Sequence, residues 1–312
     1  MKTRKICFVV GAVLALGGTG VYADTVLFDH DQSGPFSPAD GFDWLPGNAL
    51  AVDALNNGVL SVGDTFTTYY QAELGSFSDG GAGVTTLPTG SDGPYEYTGV
   101  AIIQEEVTQA IDFNADSIVD LVQFKHVGGT FKMYYDDFGG TNADGFGGNS
   151  GLGYDDGNLI LSADVVAGGS TFSLTNLQPV ALDQFGSDDL PGIQTVTGNG
   201  NTNVDAKVTF VDSNFLKGVD IGDMIVTLKW DSTLATPFDS VNPEKSVVGN
   251  TPDYGADNIN GLDTGASGKE DFHFEADGNM SFKTKTVPEP ASLALVSLGL
   301  LGMGAFSRKR SA

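Results

Sequence analysis

The N-terminal part of the chain contains a spacing of oxygen-bearing side chains that fits a calcium loop. Asp29, Asp31 and Ser33 alternate along the chain, a glycine follows, and Asp40 stands at the twelfth position counted from Asp29. Calcium takes roughly six to eight oxygen ligands, and alternate side chains of a tight loop can bring such oxygens together. The last ligand of such loops is usually glutamate, however, and no helices flank this one. Two interpretations stay open: a calcium site at these four residues, or an aspartate-rich turn without an ion.

A second ladder of oxygen ligands fits calcium less well. It consists of Asp112, Asn114, Asp116 and Asp120, and Ser117 stands where a calcium loop needs glycine for its sharp turn. We interpret this ladder as polar residues at the edge of a strand.

No arrangement of residues identifies an enzyme. His30, His126 and His273 are far apart and lack the spacing of zinc ligands. The only cysteine, Cys7, lies in the leader described below, so the exported part has no thiolate nucleophile. A Gly-x-Ser-x-Gly motif is absent, although sequence alone leaves a Ser-His-Asp triad open. Acidic residues are so numerous that a glycosidase pair could be chosen anywhere. We therefore predict a protein that is not an enzyme.

The charge of the chain limits its partners. Lys and Arg number 15 against 40 Asp and Glu, the formal net charge is -25 at pH 7, and residues 24–287 contain no arginine. Phosphate backbones require a cationic face, so nucleic acid is excluded as an unaided partner. The body also lacks bidentate arginine clamps for anionic small molecules. Divalent cations are natural partners of such a surface, and calcium is the candidate ion.

Aromatic side chains are the second possible source of binding. Trp44, Trp230 and the adjacent pairs Tyr69-Tyr70 and Tyr134-Tyr135 could stack on sugar rings. In a regular strand one ring of each adjacent pair faces outward. Packing in the core or at its rim is the default interpretation for all of them.

The elements that would position these residues are β-strands. Apolar and polar residues alternate repeatedly, for example over residues 131–135 and in the series Ala206, Val208 and Phe210. Clusters of Gly, Asn and Asp separate these runs and favour turns. Residues 104–110 are the exception, where two consecutive glutamates favour a helical turn. The predicted fold class is all-β, an antiparallel β-sandwich-like body with Gly/Asn/Asp-rich loops.

The N-terminus has the features of a secretory signal peptide. A basic start precedes the apolar run 6–16, and Ala23 completes a cleavage site of small residues. Signal peptidase is therefore expected to cut between Ala23 and Asp24. The apolar run is short and glycines follow it, which makes a permanent transmembrane anchor the weaker alternative.

The C-terminal tail carries the most specific pattern in the chain. Its parts are, in order, Pro288-Glu289-Pro290, the apolar run 291–306 and the basic stop Arg308-Lys309-Arg310. The prolines hold an extended segment that a processing enzyme can grip. The apolar run is marginal for spanning a bilayer, and the basic stop would remain cytoplasmic, which places the body outside.

This tail resembles the PEP-CTERM sorting signal of Gram-negative bacteria. The resemblance implies that an exosortase in the inner membrane recognises Pro288-Glu289-Pro290, cuts near it and frees the protein from its transient membrane helix. The product would reach the cell surface or the extracellular matrix, where such proteins accompany exopolysaccharide production. Four segments of the body are also similar to flocculation-associated PEP-CTERM proteins, namely 43–50, 66–72, 196–200 and 271–277.

Together these observations predict three regions and one function. The regions are a signal peptide at 1–23, an acidic β-rich extracellular domain at 24–286 and the sorting signal with a transmembrane helix at 287–312. The predicted function is that of a non-catalytic matrix or cell-surface protein that associates with exopolysaccharide and promotes flocculation or biofilm formation. The first alternative is a secreted carbohydrate-binding β-sandwich module, and the second is a polysaccharide hydrolase.

Overall fold

Twelve β-strands make up the regular structure of the described part of the chain. The structure is a computed structural model that describes residues 24–56, 60–79, 83–89, 93–115, 119–137, 154–155, 157–181, 194–233 and 269–284. The predictions for the signal peptide with Ala23, for Pro288-Glu289-Pro290, for the apolar run and for Arg308-Lys309-Arg310 lie outside these residues. Within them, no helix is long and apolar enough to cross a lipid bilayer.

The strands differ widely in length. Four have two or three residues, and the other eight have ten residues or more. In chain order they are β1 Val26–Phe28, β2 Ser37–Ala39, β3 Gly41–Asn56, β4 Thr65–Ser78, β5 Val84–Thr86, β6 Tyr95–Ile111, β7 Leu121–Asp137, β8 Asn158–Ala181, β9 Gln194–Val211, β10 Leu216–Lys217, β11 Met224–Thr233 and β12 Lys269–Thr284.

The long strands form one antiparallel sheet that closes on itself. The order in this nine-stranded sheet is β3-β12-β11-β9-β8-β7-β6-β4-β5, and β3 also pairs with β4. All of its strands except β5 therefore belong to a closed ring in which no strand has a free edge. Every registered pairing in the ring is antiparallel. The predicted all-β, antiparallel, sandwich-like body is confirmed. The strands of the ring form one continuous sheet, because β3 pairs with both β12 and β4.

A small sheet covers one end of the ring. Its order is β10-β1-β2, and its buried side chains include Val26, Phe28 and Leu216. Phe28 packs edge-on against Phe42 and Tyr97 of the ring, with ring centroids 5.3 and 5.1 Å apart. We call this end the capped end. There β3, β6, β8 and β11 begin and β4, β7, β9 and β12 end, as the antiparallel registers require.

The interior of the ring contains two apolar clusters. The larger one joins the capping sheet to residues of the ring, and its biggest side chains include Trp44, Tyr70 and Phe131, each at most 2% exposed. The smaller one, at the other end, includes Phe66 and Phe124, whose rings pack edge-on at 5.0 Å. Burying the inward face of each strand removes a large apolar area from water and is the main stabilising contribution.

Two local predictions were wrong. Residues 104–110 do not form a helical turn but continue strand β6, with Glu105 facing the interior and Glu106 facing outward to an ion pair with Lys125 at 2.8 Å. Phe210 is 41% exposed rather than buried with Val208. The pairing of β8 with β9 shifts register between these two residues, which turns Phe210 to the opposite face of the sheet.

The start of the described chain lies against its last strand. The backbone N–H of Asp24 donates to the carbonyl of Phe282 at 2.8 Å, and the Asp24 carboxylate accepts hydrogen bonds from the N–H and hydroxyl of Thr284. Both ends of the described body therefore meet at the capped end.

Candidate functional site

A large groove opens at the capped end between the capping sheet and the ends of ring strands. Its volume is about 820 Å³. We call it the capped-end groove. Its polar side chains are carboxylates, amides, a hydroxyl and one ammonium group: Asp29, Gln32, Asp137, Asn158, Asp212, Ser213, Asn214 and Lys217. Its aromatic wall consists of Phe36, Tyr135 and Phe215.

Asp29 follows strand β1 directly, and its backbone is fixed on several sides. Its N–H donates to the carbonyl of Phe215 at 2.9 Å. Its carbonyl oxygen accepts hydrogen bonds from the side chains of Gln32 at 3.2 Å and Tyr97 at 3.3 Å. Only 4% of Asp29 is exposed, and its buried Oδ1 atom has no hydrogen-bond partner in the described part of the chain. The backbone thus holds Asp29 in the groove wall with one of its two carboxyl oxygens unsatisfied by the described residues.

Two rings of the aromatic wall, Tyr135 and Phe215, pack on each other and on Tyr97. Tyr135 lies 4.9 Å from Phe215 and 5.1 Å from Tyr97 between ring centroids. Burial raises the pKa of Tyr135, and nearby carboxylates raise it further, so its hydroxyl stays neutral. Lys217 holds its ammonium group 3.6 Å from the centroid of the Phe36 ring, a cation–π contact.

The residues proposed for calcium are placed by different contacts. The Asp31 carboxylate accepts from the Ser33 N–H at 3.0 Å, and hydrogen bonds from Ser33 lower its pKa. Asp40 instead accepts from the hydroxyl of Ser78 at 2.9 Å, at the end of β4. Asp29 lies in the groove wall. Among the residues that the structure describes, no three His, Cys, Asp or Glu side chains are grouped to hold a metal ion. Calcium binding here stays a prediction.

Two carboxylates of the second ladder accept hydrogen bonds from the backbone of the turn between β6 and β7. Asp112 accepts from the N–H groups of Asn114 and Ala115 at 3.1 and 2.6 Å, and Asp120 accepts from the N–H of Phe113 at 2.7 Å. These carboxylates satisfy the backbone of the turn. The described members of the ladder therefore lie in the turn that joins the two strands, and Asp116 and Ser117 lie outside the residues that the structure describes.

Most of the aromatic candidates are core residues. Trp44 and Trp230 are 1% and 4% exposed, and Tyr69 and Tyr70 are 7% and 2% exposed. Their rings cannot serve as an open platform. Tyr135 is also buried, but one side of it forms the wall of the capped-end groove.

A buried polar network lies between the two apolar clusters, and sequence reasoning did not find it. The Ser170 hydroxyl lies 3.0 Å from Nε2 of His126, donates to Oε1 of Glu105 at 3.0 Å and accepts from Thr202 at 3.0 Å. Thr68 donates to the other Glu105 oxygen at 2.5 Å. Strict alternation in β6 and β7 was the available signal, because it places Glu105 and His126 on the inward face.

This network does not have the geometry of a hydrolase triad. A triad needs the serine on one imidazole nitrogen and the carboxylate on the other. Here Ser170 and Glu105 both face Nε2 of His126, while Nδ1 is buried without a partner among the described residues. Ser170 is only 4% exposed. The adjoining cavity measures about 20 Å³, room for about one water molecule. The network therefore satisfies a buried carboxylate and offers no route for a polymer substrate.

A second groove runs over the outer face of the ring and differs in chemistry. It measures about 420 Å³ and crosses β3, β4, β11 and β12. Its polar side chains are Asp43, Ser76, Ser78, Thr227, Lys229, Asn279 and Ser281. Phe42, the one aromatic residue in this wall, is 1% exposed. It therefore offers hydroxyl groups without an accessible ring.

Comparison with known proteins assigns the tail and leaves the body unassigned. The family model of the PEP-CTERM protein-sorting motif matches residues 286–310. The chain carries a PEP-CTERM sorting motif. This match includes Pro288-Glu289-Pro290 and the basic stop, so the sequence-based recognition of the tail is confirmed. The PEP-CTERM motif implies processing by an exosortase and export to the cell envelope or surface of a Gram-negative bacterium. No curated protein and no solved structure matches the chain.

Proposed function

We propose that this PEP-CTERM protein is a non-catalytic component of the extracellular matrix or cell surface. It binds exopolysaccharide and promotes flocculation or biofilm formation. The sorting motif supports a location outside the cytoplasm. The capped-end groove is the observation that supports glycan binding, because it combines a concave shape with convergent polar groups and aromatic walls.

The polar groups of the groove suit the hydroxyl groups of a sugar chain. Asp137 and Asp212 offer hydrogen-bond acceptors, and the side-chain amides of Gln32, Asn158 and Asn214 offer both donors and acceptors. Among the aromatic residues of the wall, Phe36 is the most accessible to the C–H face of a sugar ring, because Tyr135 and Phe215 are only 8% and 6% exposed. Such mixed surfaces fix the orientation of a ligand by hydrogen bonds and gain affinity from burial.

Two observations support a role without catalysis. The serine, histidine and glutamate that lie together are enclosed in the ring and lack triad geometry. In the groove, Asp212 accepts from the N–H and side-chain amide of Asn214 at 2.9 Å each, which commits one of its oxygens to the loop.

The test is a binding and turnover experiment on the cell's own exopolysaccharide. Protein purified from cells expressing the full chain is mixed with this polymer, and sedimentation and release of reducing ends are measured. We expect co-sedimentation without release. A double variant, Asp137→Asn with Asn158→Ala, should weaken co-sedimentation and fail to restore flocculation to a deletion strain. Asp223→Asn, an exposed acid outside the groove lining, is the matched control. Catalytic release of reducing ends, or full binding by the double variant, would contradict the proposal.

A further inference from the structure

We propose that the capped-end groove selects a polysaccharide that carries free, protonated amino groups. This inference rests on the proposed function, because it names the chemical class of glycan for the same groove. The argument depends on the charge of the groove, on the unsatisfied carboxyl group of Asp29 and on the separation of its acids.

The groove is acidic, and its cation is already engaged. Asp29, Asp137 and Asp212 line it, against a single lysine among the described lining residues. That lysine, Lys217, lies over the Phe36 ring at 3.6 Å. A uronic-acid polymer would meet repulsion in this groove and from the whole chain, whose formal net charge is -25.

The carboxyl group of Asp29 needs a hydrogen-bond donor that the described part of the protein does not supply. Its Oδ1 atom is buried and has no hydrogen-bond partner there, although the residue is only 4% exposed. A buried carboxylate without a partner is costly, and a charged donor offsets that cost better than a neutral one. An ammonium group brings a positive charge and three N–H donors. A neutral sugar hydroxyl brings one donor and no charge.

The acids of the groove come from three separate elements of the fold. Asp29 follows β1, Asp137 ends β7 and Asp212 follows β9. No three acidic or histidine side chains of the described residues are grouped for a metal ion. Separate carboxylates suit a ligand that repeats its positive charge along a chain. A volume of about 820 Å³ accommodates more than one sugar unit.

The inference is tested with two oligosaccharide series of equal length. One series is β-1,4-linked glucosamine and the other is β-1,4-linked N-acetylglucosamine, which differs by the loss of the free amine. Protein from cells expressing the full chain is titrated calorimetrically with each series in EDTA, at a mildly acidic pH that protonates the amines. We expect the glucosamine series to bind at least about tenfold more tightly, about 1.4 kcal/mol. Raising the ionic strength from about 0.1 M to about 1 M should narrow this difference.

Two variants distinguish binding in the groove from general attraction of the ligand by the negative charge of the protein. Asp29→Asn should abolish the preference for glucosamine, while Asp223→Asn, which removes the same charge from an exposed position outside the lining, should keep it. Asp137→Asn gives a second groove variant should Asp29→Asn fail to fold, as judged by circular dichroism. We expect it to reduce the preference as well.

The possible failures are distinguishable. Equal affinity for both series overturns the selection of amines but leaves glycan binding intact. Binding of neither series, together with no binding of the cell's own exopolysaccharide, overturns the proposed function as well. A glucosamine preference that persists in both groove variants overturns the assignment to this groove.

Discussion

At the scale of single residues, Asp29 shows a conflict between stability and binding. Its carboxyl oxygen is buried without a partner among the described residues, which costs folding free energy. Asp29→Asn removes the charge and keeps the shape, so we expect it to raise the free energy of unfolding by about 1 kcal/mol. Urea unfolding of both proteins, with Asp223→Asn as control, measures the difference. A lower midpoint for Asp29→Asn would show that the carboxylate is satisfied in solution.

In the buried polar network, by contrast, removing a hydrogen-bond donor should lower the free energy of unfolding. Thr68 donates to the buried Glu105 carboxylate at 2.5 Å. Thr68→Val keeps the shape of the side chain and removes that donor, so we expect a loss of about 1.5–3 kcal/mol in the free energy of unfolding. Thr108→Val is the control, because the Thr108 hydroxyl donates to a carbonyl at an exposed position and should matter by less than about 1 kcal/mol. Equal effects of the two changes would contradict a role for Thr68 in satisfying Glu105.

Two tyrosines, the buried Tyr95 and the half-buried Tyr134, predict a loss of stability at alkaline pH. Burial is the main cause that raises the pKa of Tyr95 and of Tyr134 to about 12, and the carboxylates of Asp31 and Asp155 add to it. In the unfolded chain a tyrosine loses its proton near its usual pKa of about 10. Above that pH the unfolded state binds fewer protons than the folded state, so stability is complete below about pH 10 and falls as the pH rises towards 12.

Urea midpoints at about pH 9, 10 and 11, with tyrosinate absorbance recorded in parallel, measure this decline. Tyrosinate absorbance that reaches its full value near pH 10 while the protein stays folded would be inconsistent with raised pKa values.

At the scale of elements, a glycine in β7 tests how closely neighbouring strands approach. Gly129 has a φ of 134°, and a Cβ atom there would lie 2.1 Å from the carbonyl oxygen of Ile102. Gly63 also has positive φ, 95°, but its Cβ position is open. Both alanine substitutions incur about 1–2 kcal/mol of backbone strain, and Gly129→Ala adds about 1–3 kcal/mol for the clash. Thermal unfolding of the two variants isolates that second contribution.

Thermal midpoints that agree within error would mean that β6 and β7 can separate without cost. The closed ring makes that outcome unexpected, because every strand of the ring pairs on both sides.

Local patterns in the sequence predicted the strands but not their closure. The alternation of Phe131, Met133 and Tyr135 with polar neighbours places the right residues inside, because side chains of a strand alternate strictly. Phe210 escaped this rule since an irregularity in pairing depends on the partner strand, which local sequence does not specify. Pairing of β3 with β12, which closes the ring, likewise joins segments that are far apart in the chain.

The candidate site shows the same limit. Asp29 was selected for its spacing to Asp31, and the structure places it in a groove wall for a different reason, namely its position after β1. Asp137 and Asp212 reach the same groove from the ends of distant strands. Only the tertiary fold brings such residues together, so no spacing in the sequence could have indicated them.

At the scale of the whole molecule, the tail and the body should be separable. The sorting motif occupies residues 286–310, beyond the end of β12 at Thr284. We expect a chain truncated before Pro288 to fold with an unchanged thermal midpoint but to lose its normal location. Fractionation of cells and the mass of the recovered protein measure both effects. In cells without exosortase, the full-length tail should remain attached; its absence from protein made in such cells would assign the cut to another protease.

The contact between Asp24 and Thr284 brings the start of the described body to the strand that precedes the sorting motif. Both residues lie at the capped end, which also contains the groove. While the sorting helix is still inserted in the membrane, the capped end would be the part of the body nearest the bilayer, and the groove would face the lipid headgroups. Cleavage of the tail would remove this attachment to the membrane, so the groove could then face away from the bilayer. Proteolytic maturation would then control when the protein first becomes adhesive.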